Sequence, residues 1–285
     1  ELLNVLRSKI TGDIDDIDHI SYAAQTLSQL HLEDSKDDLA ALQSRVKKLI
    51  PRFTPTEYAF LAQSFAPLKP VNKHFFKYLS AWVLKKASEL DQPSTLALID
   101  NFVQTGSYHK KTLLVLYQKL LSGSQWRAIQ FEDIVLALQR MREGGIPSFV
   151  FLSKAEKLIC EAFDKTEVDA EHTATILQTY SHFRVPATSL YARVEKEFLK
   201  STAIGSIGDA MENYVFALKA PYVRAEFYHQ TVQDYLEKSS ADINGRELLD
   251  LLIVGQETVD FRLRRGFKDM CTVKLTTLFQ ECQID

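Results

Sequence analysis

Lysine and arginine side chains recur at predicted turns of the chain. With the basic residues beside them, they are Lys36, Lys73, Lys110, Lys111, Arg262, Arg264, Arg265 and Lys268. Ammonium and guanidinium groups bind phosphates, and the guanidinium does so through paired hydrogen bonds. We therefore predict that these residues contact nucleic acid, except for Lys36, which lies one place out of register. The contact is expected to be strongest in the segment RLRRGFK (262–268). The alternative is that charged turns only keep the protein soluble.

A second set of polar residues directly precedes a series of bulky apolar positions. Two residues before each bulky position stand Gln25, Gln63, Asp100, Gln139 and Gln178. One residue before it stand Thr26, Ser64, Asn101, Arg140 and Thr179. Regularly spaced amides and hydroxyls can hydrogen-bond extended RNA or peptide. We predict RNA contacts for Gln63, Gln139, Gln178 and Arg140, with a wetted strip on a helix as the alternative.

Sequence patterns of catalysis are missing from the chain. It contains no HExxH, GxSxG, P-loop or GxGxxG pattern. The acidic segment GDIDDIDH (12–19) lacks the glycine and the glutamate of a calcium loop, so it is expected to be an acidic helix start. Cys160 is expected to pack in the core, and Trp82 in the core or between repeats. We predict a protein that is not an enzyme and holds no metal and no cofactor.

The composition indicates the fold class that positions these residues. Apolar residues make up 46% of the 285, while only 10 glycines and 8 prolines interrupt the chain, and strand-like alternation is nearly absent. An all-α protein is therefore predicted. The net charge of −3 combines −6 in residues 1–40 with +3 in the remainder, which permits a nucleic-acid surface there. Three cysteines without CxxC spacing favour a reducing compartment, and no apolar run reaches the ~20 residues that span a membrane.

The bulky apolar positions, called anchors below, recur at intervals of 37–39 residues. They are Leu27, Phe65, Phe102, Met141, Tyr180, Ala217 and Val254. The positions three residues before and nineteen residues after every anchor are also apolar or aromatic. Such a period predicts an α-solenoid of about seven stacked helix pairs, in which helix A carries the anchor and helix B follows it. Residues 1–14 are predicted to be a lead-in helix or extension, and residues 15–285 a single repeat array.

Turn residues predict where these helices begin and end. Helix A is expected to close at segments rich in glycine or proline, which are 68–72, 105–109, 143–148, 184–188 and 219–223. Thr54, Ser94 and Asn244 are predicted N-caps, and Pro55 and Pro93 suit first-turn positions or the approach to them.

The register resembles a known group of repeats. From about Asp15 to Gln283, the apolar ladders, the series QTL, QSF, DNF, QRM and QTY, and the closing Pro or Gly are similar to the degenerate helical hairpins of organellar RNA-processing proteins. These include the heptatricopeptide and octotricopeptide groups and the helical region of FAST-kinase-type proteins. The chain is also similar in style to helical-repeat subunits of kinetoplastid mitochondrial RNA-editing complexes. The resemblance implies a mitochondrial scaffold that binds guide RNA or mRNA, with a targeting segment outside these 285 residues.

Two functions from different classes are compatible with these features. The first is an RNA-binding scaffold whose partners are other subunits of a complex and single-stranded RNA. The second is a purely protein–protein scaffold of the HEAT or armadillo type without RNA contact. In either case no membrane is expected as a partner. The polar series ends before the last two repeats, which predicts a dimer or hetero-complex through the C-terminal repeats.

Overall fold

The structure is a computed structural model that describes residues 16–29, 36–68, 73–122, 129–165, 168–194, 272–273 and 276. Within these ranges the regular secondary structure is helical and no strand occurs, which confirms the all-α prediction. The chain divides into two compact units, Glu1–Phe151 (unit 1) and Leu152–Asp285 (unit 2). The predicted lead-in at 1–14 and the anchors Ala217 and Val254 lie outside the described residues.

Helices of two kinds alternate along the chain. The A helices are α1 (Ile17–Gln29), α3 (Pro55–Phe65), α5 (Gln92–Thr105), α7 (Phe131–Gly144) and α9 (Ala170–His182). The B helices are α2 (Lys36–Leu49), α4 (Lys73–Lys86), α6 (Lys110–Leu120) and α8 (Phe149–Lys165). Short 3₁₀ turns at Ile50–Arg52 and Ala87–Glu89 follow α2 and α4, and residues 188–194 are also helical. Successive A helices begin 38, 37, 39 and 39 residues apart, which reproduces the predicted spacing of the anchors.

Three of the A helices, α3, α5 and α9, begin at side-chain caps. Thr54 and Glu57 form a capping box in front of Pro55, as predicted for Thr54. The prediction of Ser94 as an N-cap is wrong, because Asp91 holds that place and its carboxylate accepts the Ser94 backbone N–H at 2.8 Å. The carboxylate of Asp169 caps α9 in the same way. The predicted cap Asn244 lies outside the described residues.

Left-handed residues end three of the A helices. Gly106 follows α5 and Gly145 is the C-cap of α7, each with φ of 61°. Just after the end of α9, Arg184 adopts the same left-handed backbone conformation, with φ of 52°. These left-handed residues lie in the predicted segments 105–109, 143–148 and 184–188, although α9 itself already ends at His182. Glycine populates this conformation without steric cost, which explains its use at two of the three sites.

The repeated positions form the core. All five described anchors are at most 1% exposed, and the residues three positions before them (Ala24, Ala62, Ile99, Leu138 and Leu177) are completely buried. Nineteen residues after the anchors, Val46, Leu121 and Cys160 are buried and Leu84 is half-buried. The predicted register therefore identifies the buried face of each helix.

Consecutive helices of each kind pack together in unit 1. Each of α3, α5 and α7 contacts the A helix before it, and each of α4 and α6 contacts the B helix before it. The A helices α1, α3 and α5 also pack on the B helix that follows them. Four rings connect the second helix pair to the third, with centroid separations of 4.7 Å for Phe65–Phe75, 5.5 Å for Phe75–Phe76 and 6.5 Å for Phe76–Phe102. Buried aromatic contacts of this kind hold neighbouring pairs in register.

Within unit 2, two polar contacts connect helices that are distant in sequence. The buried Tyr180 hydroxyl donates a hydrogen bond of 2.7 Å to the carbonyl of Leu152 in α8. The Arg193 guanidinium contacts the Asp164 carboxylate of the same helix at 2.9 Å. Helix α8 thus meets both the following A helix and residues 188–194.

Candidate nucleic-acid interface

Charge in unit 1 is divided between the two kinds of helix. The B helices α2, α4 and α6 contain eleven basic residues against two acids, Asp37 and Asp38, a net charge of +9. The A helices α1, α3, α5 and α7 contain six acids against two bases, Arg140 and Arg142, a net charge of −4. A polyanion is therefore attracted to the B helices and repelled by the A helices.

Helix α4 is the most basic of the B helices. Its sequence KHFFKYLSAWVLKK contains four lysines and no acid. The buried side chains are Phe75, Phe76, Leu79, Ser80 and Val83, which recur at helical spacing on one face. Because this face packs inward, Lys73, His74, Lys77, Tyr78 and Lys85 are exposed.

Two aromatic side chains, Trp82 and Tyr78, lie on the same helix as these lysines. The ammonium of Lys85 lies 4.0 Å from the ring centroid of Trp82, and the Trp82 side chain is half-buried. Tyr78 is 37% exposed, and its hydroxyl donates a hydrogen bond of 3.4 Å to the Lys47 carbonyl of α2. Basic residues interleaved with accessible aromatic rings are typical of single-stranded nucleic-acid binding, where bases stack on the rings.

The predicted basic turns begin the B helices. Lys36, Lys73 and Lys110 are the first residues of α2, α4 and α6, spaced 37 residues apart. The side chains of Lys73, Lys110 and Lys111 are exposed. A cation in the first turn is unfavourable to the helix dipole by a few tenths of a kcal/mol, so helix stability does not explain this placement. The predicted Arg262, Arg264, Arg265 and Lys268 lie outside the described residues.

The predicted glutamines and Arg140 lie on A helices, whereas the basic residues of the turns lie on B helices. Gln63 is exposed, whereas Gln139 and Gln178 are half-buried. The guanidinium of Arg140 is only 18% exposed; its Nε donates to Asp100 and its Nη1 to Glu143, both at 2.6 Å. Arg140 therefore connects α7 to α5.

Four of the five polar residues one place before the anchors, all except Arg140, hydrogen-bond to the backbone of their own helices. Their side chains donate to the carbonyl four residues earlier, in the pairs Thr26–Tyr22, Ser64–Phe60, Asn101–Ala97 and Thr179–Thr175, over 2.7 to 2.9 Å. Such back-bonding satisfies a polar group without a ligand. For Thr26, Ser64, Asn101 and Thr179, a role within the helix is therefore favoured over RNA contact.

Metal-binding clusters and the thiol of Cys160 were two further candidates for chemistry in the described residues. No group of three or more His, Cys, Asp or Glu residues there is arranged to hold a metal ion. Cys160 is buried, and this burial raises the pKa of its thiol, which disfavours the reactive thiolate. Among the described helices, none has both the length and the apolar character needed to cross a membrane.

Sequence reasoning missed the lysines in the interior of α4. The sequence prediction compared residues at one fixed distance from each anchor. Lys73 lies at that distance, whereas Lys77 and Lys85 do not. The signal was available in the helix as a whole, because KHFFKYLSAWVLKK contains four lysines and no acid.

Comparison with known proteins does not assign the chain to a family. No known family model matches it, and no curated protein sequence is significantly similar to it.

Proposed function

We propose that the protein is a non-enzymatic α-solenoid of about seven helix pairs that serves as a scaffold and binds single-stranded RNA through its B helices. The observation that carries this proposal is the division of charge in unit 1, with +9 on α2, α4 and α6 and −4 on the A helices. The interface consists of Lys73, Lys77, Lys85, Lys110 and Lys111, with Tyr78 and Trp82 as stacking surfaces.

The repeated packing supports the solenoid part of the proposal. Five A helices begin at the predicted spacing, and in unit 1 each A helix contacts the next while each B helix contacts the next. A stack of this kind places equivalent residues of successive pairs side by side, so that basic residues of neighbouring B helices form one continuous surface.

The proposed cellular role is in mitochondrial RNA processing or editing, where the chain would hold guide RNA or mRNA together with other protein subunits. This part rests on the resemblance of the register to organellar helical-hairpin repeats. Docking through the C-terminal repeats and RNA contact at Arg262, Arg264, Arg265 and Lys268 belong to the same proposal.

A binding experiment tests the RNA part. We expect the chain to bind a fluorescein-labelled oligouridine in anisotropy titrations, with an affinity that falls steeply as salt rises. Each phosphate contact with a single strand contributes about 0.7 to the slope of log K against log salt. The double variant Lys77→Gln/Lys111→Gln removes two ammonium groups, so the slope is expected to decrease by about 1.4.

The matched control is Thr56→Glu/Gln63→Glu. It lowers the net charge by the same two units, at two exposed positions of the A helix α3. We expect this control to bind like the wild type. RNA binding that is absent at low salt, or weakened equally by both variants, would refute the assignment to the B helices.

A further inference from the structure

Exposed apolar side chains recur on the A helices of unit 1. Five residues before the anchors stand Tyr22, Phe60, Ala97 and Leu136. Tyr22 is 70% exposed and Phe60 is 39% exposed, while Ala97 and Leu136 are half-buried. Single exposed apolar residues are ordinary, but apolar side chains that are exposed or half-buried at the same place in four successive helices mark an interaction surface. We call these four residues the apolar row.

The apolar row enters a groove between α5 and α7. This groove has a volume of about 270 Å³, and Pro93, Leu96, Ala97 and Leu136 form its apolar wall. The carboxyl-bearing residues Asp100 and Asp133 also line it. The volume is below the range typical of drug-sized ligands, and it suits one or two side chains of a polypeptide.

The groove has an excess of negative charge. Asp100 and Glu143 share the single guanidinium of Arg140, at 2.6 Å each. Asp133 forms no ion pair within the part of the chain that the structure describes. The groove is thus lined by two carboxylates, Asp100 and Asp133, and none of its described lining residues is basic, while the guanidinium that pairs with Asp100 is shared with Glu143. This arrangement favours a cationic ligand at this place.

We propose that the groove binds a segment of a partner protein in which a lysine or arginine adjoins an aliphatic residue. The ammonium or guanidinium group lies at Asp133 and Asp100, while the methylene stem and the aliphatic neighbour cover Leu96 and Leu136. The segment continues along the apolar row toward Phe60 and Tyr22. Nucleic acid does not fit here, because the A helices of unit 1 have a net charge of −4.

This inference rests on the scaffold part of the proposed function and is independent of RNA binding. It places the protein partner on the A helices and the RNA on the B helices, so that the two ligands do not compete. Both functions predicted from the sequence can then belong to one chain.

Selection of peptides on the whole chain tests the groove. A random peptide library displayed on phage is selected on immobilised protein, and the enriched peptides are synthesised and titrated by fluorescence anisotropy. We expect enriched sequences that contain lysine or arginine beside leucine, isoleucine or valine. The variants Asp133→Asn and Ala97→Arg are each expected to weaken their binding at least tenfold, because the first removes a charge-assisted contact and the second fills the groove with a like charge.

The control variant is Lys77→Gln on α4, which is expected to leave peptide affinity unchanged and to weaken oligouridine binding. Circular dichroism melting curves establish that all three variants are folded. We also expect Asp133→Asn to bind oligouridine with wild-type affinity, because the groove is separate from the RNA interface. Peptide binding and oligouridine binding are measured independently, so either proposal can fail while the other holds.

Several results would overturn the groove proposal. Enriched peptides that are acidic, or basic peptides that bind the Asp133→Asn and Ala97→Arg variants as tightly as the wild type, exclude a cationic ligand at this place. Failure of the selection to enrich any peptide would likewise refute peptide binding in the groove. Sedimentation that shows a dimer in the wild type and a monomer in Ala97→Arg would assign the groove to a second copy of the chain.

Discussion

Two buried tyrosines of unit 1 differ in a single hydrogen bond, which makes them a matched pair for a stability experiment. The side chains of Tyr58 and Tyr117 are both completely buried. The Tyr58 hydroxyl donates to the Ile50 carbonyl at 3.1 Å. The Tyr117 hydroxyl is buried and has no hydrogen-bond partner among the described residues. Burial raises the pKa of both phenols, more strongly that of Tyr117.

The substitution Tyr117→Phe removes only the hydroxyl group and keeps the ring, whose centroid lies 5.7 Å from that of Phe151. An unsatisfied buried hydroxyl costs about 1–3 kcal/mol relative to water. We therefore expect Tyr117→Phe to raise the free energy of unfolding by about 1 kcal/mol. Tyr58→Phe removes a formed hydrogen bond and is expected to lower it by about 1 kcal/mol. The same chemical change should therefore have opposite signs at the two positions.

Urea unfolding followed by far-ultraviolet circular dichroism measures both effects. Because both tyrosines belong to unit 1, the midpoints are compared for the same transition, at equal slope. A separation of about 2 kcal/mol between the two variants is the expected result. If Tyr117→Phe destabilises the protein as much as Tyr58→Phe does, then the Tyr117 hydroxyl is satisfied in solution and the reasoning fails.

Three further outcomes test the helix ends and the buried thiol. Asp91→Ala is expected to cost about 1 kcal/mol and Ser94→Ala clearly less, since Asp91 is the N-cap of α5; equal losses in thermal melting would contradict this. Gly106→Ala is expected to cost about 1–2 kcal/mol through its φ of 61° alone, because nothing lies within 4 Å of an added Cβ, and unchanged urea unfolding would exclude that strain. Iodoacetamide is expected to alkylate Cys160 at least about tenfold more slowly in the folded chain than in urea at pH 8, as measured by mass spectrometry, because burial raises the pKa of its thiol; comparable rates would show an accessible thiolate.

The helix pairs were predictable from the sequence because burial imposes a period on it. A helix that packs on its neighbours must place apolar residues at fixed positions, and the anchors Leu27 to Tyr180 are all buried as their spacing predicted. Glycine also predicted the ends of α5 and α7, since few other residues accept the left-handed backbone angles found at Gly106 and Gly145.

The exact cap of α5 was less predictable. Asp91 and Ser94 are both good N-cap residues, and Pro93 suits either the first turn of a helix capped by Asp91 or the approach to one capped by Ser94. The extended backbone at Asp91, with ψ of 174°, decides between them. Sequence patterns resolve such choices only to within a turn, because caps of similar strength compete locally.

The sequence by itself determined the all-α class, the period of 37–39 residues and the core positions, because these follow from local propensity and from periodic burial. It also contained the charges of each helix, which are visible once helix boundaries are known. Only the tertiary structure decided which polar groups are free to act. The ion pair of Arg140 with Asp100 joins residues 40 positions apart, and the groove between α5 and α7 exists only where two such helices meet. Contacts between distant residues depend on packing, and a linear pattern does not specify which side chains that packing leaves accessible.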